Sequence, residues 1–160
     1  MAGRDSNEDK TCVFWNIDHC PIPGGCRPHE ITNFIKGALK NEGYLGDVSI
    51  WAYSDKPSVV DELSRDYRDA GISLRNLVSE GIEKLHEMSM DIFLFGLDNR
   101  APSNVLVISK EDTVVFDVLR RMHSMGYRIL VAQPENVDSN ELSGITSMIW
   151  RWPSESDLLP

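Results

Sequence analysis

Three acidic spots in this chain carry residue types suited to metal-assisted phosphoryl chemistry. The first is "VFWNIDHCPIPGG", where Asn16 and Asp18 interrupt an apolar run. The second is "HEMSMDIFLFGLDN", where Asp91 lies among Met88, Met90, Ile92, Leu94 and Phe95. The third is "VISKEDTVVF", where Ser109 precedes Lys110, Glu111 and Asp112. Magnesium takes hard oxygen donors in an octahedron, usually one or two carboxylates with waters. An ion held that way can orient and activate a water and stabilise the leaving oxygen of a phosphodiester.

Each spot also has a plainer explanation. Asn16 can bond a loop backbone and Asp18 can cap the turn into "CPIPGG", since buried polar groups are usually satisfied. Acids at 111 and 112 would complement the dipole of a helix for which Ser109 is a good N-cap. Asp98 follows Asp91 by two helical turns, about 10 Å, too far to share one ion; turn chemistry in "DNRAPSN" accounts for it. The case for a site rests on whether Asp18, Asp91 and Glu111 or Asp112 meet.

The elements that would bring them together follow from periodicity. Strands are expected at Val13–Asp18, Val48–Tyr53, Ile72–Val78, Asn104–Ser109, Tyr127–Ala132 and Met148–Trp152. Helices are expected at Glu30–Asn41, Ser58–Ala70, Glu83–Leu97 and Glu111–Met125, with Gly43, Gly71 and Gly126 as stops. On the first strand, Asn16 and Asp18 would share a face. Strands alternating with helices imply an α/β fold, a parallel sheet covered on both faces. Ligands in such sheets bind beyond the carboxyl ends of the strands, the edge where Asp18, His19, Lys110, Glu111 and Asp112 would lie.

Composition bounds the rest. With 160 residues, 41% hydrophobic and 26% charged, the chain fits one domain with a proper core. We expect a frayed segment at 1–10, a single domain at 11–153 and a flexible tail at 154–160. No apolar run is long enough to span a bilayer, and the polar start "MAGRDSNEDK" has no leader-like apolar core. Three cysteines point to a reducing compartment, with cytoplasm or nucleus as the default. The net charge of −9 weighs against tight, non-specific nucleic-acid binding but leaves room for a transient substrate. His19, Cys20, Cys26 and His29 contain zinc-type donors, but not at a usual finger spacing. Trp15, Trp51, Trp150 and Trp152 could stack on bases, though in strands such residues more often pack.

In order and spacing, "VFWNIDHCPIPGG", "MSMDIFLFGLDNRAPSNVLVIS" and "GYRILVAQP" resemble the NYN domain of the PIN-like ribonuclease group over residues 12–133. The nearest likeness is to plant NYN proteins and the meiosis-arrest-female type. The resemblance implies a Rossmann-like PIN/NYN three-layer sandwich with a mostly parallel central sheet. It implies magnesium- or manganese-dependent cleavage of single-stranded RNA, and adds the peroxisome to the addresses.

The carry-over is uneven. The family's Trp-Asp-Ile-Glu-Asn reads "WNIDH" here, so a metal-binding acid falls on Asn16 and the next acid on Asp18. The helix acid falls on Asp91. Ser-Gly-Asp-x-Asp-Phe reads "SKEDTV": Ser109 is kept, Lys110 replaces glycine, Glu111 stands for the first acid and Thr113 for the second. The resemblance thus assigns catalysis and metal binding to Asp18, Asp91 and Glu111, with Asp112 as a substitute ligand, and substrate contacts to Asn16, Ser109 and Thr113. Two neutral residues at acid positions and an added ammonium predict a weakened metal site. One reading is an RNA-directed nuclease; the alternative is an inactive module that binds RNA or a protein partner. A receiver-like signalling domain, which also pairs strand-end acids with a lysine, fits the motif order less well.

Overall fold

The computed structural model describes residues 8–22, 27–54, 65–76, 82–110, 113–133 and 144–152. Its strands are β1 (Thr11–Asn16), β2 (Val48–Ser54), β3 (Ile72–Asn76), β4 (Asn104–Ile108), β5 (Arg128–Gln133) and β6 (Thr146–Arg151). Its helices are α1 (Pro28–Asn41), α2 (Ile82–Asp98) and α3 (Thr113–Ser124), with residues 65–69 also helical. The six strands form one sheet in the order β3-β2-β1-β4-β5-β6, and every pair is parallel. The expected α/β architecture is therefore present. Glu111 and Asp112, residues 58–64 of the expected second helix, 77–78 of the third strand, and Cys26 lie outside the described residues.

Alternation along buried strands makes the layers. In β1, Cys12 and Phe14 point to one face and Val13 and Trp15 to the other, all at most 2% exposed. The first face packs on Met88 and Ile92 of α2 and Val115, Leu119 and Met122 of α3. The second packs on Ile31, Ile35 and Leu39 of α1, with Tyr67 and Trp152. These apolar positions recur at helical spacing, which is why the segments fold as amphipathic helices against the sheet. Gly43 and Gly126, expected as stops, have φ of 91° and 98°, a region that disfavours residues with a Cβ.

Two expectations need correction. β1 ends at Asn16, so Asp18 belongs to the following turn and does not share a strand face with Asn16. Residues 8–10 belong to the fold rather than to a frayed end. Asp9 is fully buried, its carboxylate accepts from Arg128 Nη1 at 2.8 Å, and the Lys10 carbonyl accepts from Asn104 N at 2.8 Å.

That early segment needs Gly46. A Cβ there would overlap the carbonyl oxygens of Asp9 and Glu8, whereas one on Gly37, inside α1, would meet nothing within 4 Å. Gly46→Ala should lower stability by about 1–3 kcal/mol through backbone displacement. Gly37→Ala should raise it by about 0.5–1 kcal/mol through helix propensity. Denaturant unfolding of the two variants checks the opposite signs.

Candidate functional site

The strand order reverses between β1 and β4: the chain runs outward from β1 to β3, then returns beside β1 and continues to β6. Such a switch point leaves a crevice beyond the carboxyl ends of its two strands. Asn16 is the last residue of β1, and Ser109 directly follows β4. Both are buried.

A hydrogen-bond network bridges the crevice. Asn16 Oδ1 accepts from His19 N at 3.1 Å, and Asn16 Nδ2 lies 3.3 Å from His19 Nδ1. His19 Nδ1 also lies 3.0 Å from Ser109 Oγ. The amide orientation that gives His19 N–H its acceptor turns the Nδ2 protons toward the ring. Neutral His19 then accepts at Nδ1 and carries its proton on Nε2.

The core holds this turn from below. Trp15 Nε1 donates to the Cys20 carbonyl at 2.7 Å, and Trp152 Nε1 to the Pro21 carbonyl at 2.9 Å. The two indoles pack with centroids 5.3 Å apart, while Trp150 stacks on Phe34. The packing reading of Trp15, Trp150 and Trp152 thus holds.

The two described carboxylates are both tied to the end of β2. Asp18 Oδ1 accepts from Ser54 Oγ at 3.0 Å. Asp91 Oδ2 accepts from Tyr53 Oη at 2.8 Å. Tyr53 and Ser54 are fully buried neighbours, so each carboxylate is oriented by a rigid hydroxyl. Asp91 sits midway along α2 and also lines a cavity with Lys10, Cys12 and Trp51. It thus stands over the face of β1 and β2.

Asp98 is the last residue of α2 and is exposed, so it closes the helix rather than opening the turn. Lys110 is exposed beside Ser109. Thr113 opens α3, its side chain outside the described set, as are Glu111 and Asp112. Sequence reasoning missed Tyr53, Ser54 and the bridging role of His19. Applying the strand-end rule to "WAYSDK" as well as to β1 and β4 would have found the first two.

The zinc reading gains nothing from the structure. His19 is committed to Asn16 and Ser109, and burial pushes the Cys20 thiol up to about 12. Among the described residues no group of three His, Cys, Asp or Glu could hold a metal ion.

The sequence matches the NYN domain model over residues 10–145. The chain belongs to the NYN domain family. NYN domains are a PIN-like nuclease family. This NYN domain is similar in structure to a protein of unknown function from Vibrio parahaemolyticus RIMD 2210633, with a TM-score of 0.65 and 12% identity. The match covers 95% of this chain and 98% of that one; at such identity it speaks for the fold alone. No curated protein matches the chain. Among the described residues, no helix is long and apolar enough to cross a membrane.

PIN-like nucleases typically use divalent metals, so donor chemistry is the test. At the end of β1 this NYN domain offers a neutral amide whose oxygen accepts from His19 N–H. Asp18 and Asp91 each accept a hydroxyl proton. Two carboxylates could suffice for magnesium with waters, but among the described residues they do not join a third such group in a cluster able to hold an ion.

Proposed function

We propose that this NYN domain acts in RNA metabolism, as a single-stranded-RNA endoribonuclease of the plant, meiosis-arrest-female type whose magnesium or manganese site is weakened. Asp18, Asp91 and Glu111 are the acids of the reading, Asp112 stands beside them, and Asn16, Ser109 and Thr113 face the substrate. The observation that carries it is the switch-point geometry: Asn16 and Ser109, from β1 and β4, meet through His19, with Asp18 on the intervening turn. The domain's own contribution is orientation, through Ser54 on Asp18 and Tyr53 on Asp91. With a net charge of −9, RNA affinity is modest, and a partner supplies the remainder. We place the protein in the cytoplasm or nucleus.

The second reading, an inactive NYN module binding RNA or a protein partner, is favoured by the same bridge, because His19 occupies the amide where an acid would be needed. End-labelled single-stranded RNA incubated with manganese separates the two. The nuclease reading expects slow cleavage that Asp91→Asn lowers by about 100-fold or more, on the scale of removing one group that stabilises charge in the transition state. Equal rates for wild type and Asp91→Asn, or none for either, support the inactive module.

A further inference from the structure

Among the described residues of α2, three large apolar side chains are turned away from the core. Met88 and Ile92 are fully buried, but Met90, Leu94 and Leu97 are 60%, 47% and 81% exposed. Those three recur at i, i+4 and i+7, one stripe of a helix. Beside them runs a second line, Glu87, Asp91 and Asp98, at i, i+4 and i+11. Glu87 and Asp98 are exposed, and Asp91 is half-buried.

The stripe borders a cavity of about 390 Å³ between α2 and the sheet. Its lining includes Phe14, Trp51 and Phe95 as aromatic surface, together with Leu94, Asp91 and Asp98. Scattered exposed apolar residues need no explanation; a stripe continuous with an aromatic cavity does.

We propose that this face of α2 docks a basic amphipathic peptide segment of a protein partner. A bulky apolar side chain of the partner fills the cavity over Trp51, and its lysines or arginines pair with Glu87, Asp91 and Asp98. Charge complementarity selects this occupant. A second copy of the chain would set one acidic line against another, and a nucleic-acid backbone would meet these carboxylates with Lys10 as the one basic residue among the cavity's described lining. In helix-in-groove recognition the docked helix carries anchors at i, i+4 and i+7, so the partner segment would meet this face with an apolar stripe of its own. Asp91 lines the cavity and is also held by Tyr53, so a docked partner lies against an acid of the candidate site. The docking proposal does not depend on the nuclease reading.

Fluorescence anisotropy tests it with a labelled synthetic 16-residue helical peptide of Lys and Leu with a single Trp, alongside a twin carrying Glu in place of every Lys. The basic peptide should bind the folded protein with Kd of about 10–100 µM, and the twin about tenfold or more weakly. Leu94→Glu is the decisive variant. It adds a negative charge, so mere attraction to an acidic surface would strengthen binding, whereas docking on the stripe predicts a loss of about fivefold or more. Asp98→Lys should weaken the basic peptide and improve the acidic twin. Should Leu94→Glu fail to fold by circular dichroism, Leu97→Glu, at the most exposed of the three positions, carries the same expectation. No binding of the basic peptide at about 200 µM, unchanged or tighter binding to the Leu→Glu variants, or full displacement by single-stranded RNA overturns the proposal.

Discussion

Arg128→Met should lower the stability of this NYN domain by about 3–5 kcal/mol, the usual consequence of removing one partner of a buried ion pair. Asp9 is fully buried, and its carboxylate lies 2.8 Å from Arg128 Nη1, whose side chain is 26% exposed. The same Nη1 donates to Asn104 Oδ1 at 3.0 Å, and Asn104 Nδ2 donates to Thr11 Oγ1 at 3.0 Å. One guanidinium therefore joins the segment before β1 to the starts of β4 and β5. Methionine keeps the aliphatic stem but removes the guanidinium that pairs with Asp9. For a domain of this size the loss corresponds to about 6–20 °C in melting temperature. Combining Arg128→Met with Asp9→Asn should cost less than the sum of the two singles, because both changes act on the same ion pair. Thermal denaturation of the four proteins closes the cycle. Additive effects would show that the pair does not couple.

The second large effect is a gain. Asn16→Asp should raise manganese affinity about tenfold or more, about 1.4 kcal/mol, and should speed RNA cleavage. The substitution adds one negative charge at the end of β1 with almost no change in shape. At an effective dielectric near 20, a unit charge about 4 Å from another is worth about 4 kcal/mol; burial of the new carboxylate and the nearby His19 ring subtract from that. Position 16 is fully buried, so without metal the variant should be less stable than wild type, and added manganese should restore its melting temperature more than it shifts that of wild type. A variant that melts like wild type at every manganese concentration would show that the ion does not reach position 16.

Much of the fold could be read from residue patterns alone. "NVLVIS" reads as a buried parallel strand because β-branched residues fill both faces, and β4 is buried at every position. The stripes of α1 and α3 are clear because their outer faces are charged, as with the exposed Arg120–Asp117 pair. Asp91 was harder to place. Its neighbours Met90 and Leu94 look like core in one dimension, yet the structure turns them outward, a distinction that depends on which face meets the sheet. Asn16 is legible as an anomaly but not as part of a bridge, because its partner His19 reaches on to Ser109, 90 residues further along the chain. The Asp9–Arg128 pair spans 119 residues and lies in a segment whose polarity resembles a frayed end. Separations of that kind leave no periodic trace.

Calorimetric titration of manganese into wild type and Asn16→Asp, side by side, tests the central claim that a neutral amide bridged by His19 weakens the ion site at the β1–β4 edge. The account predicts a wild-type Kd above about 100 µM and a variant Kd at least about tenfold lower. Micromolar binding by wild type, with no gain in Asn16→Asp, would contradict it.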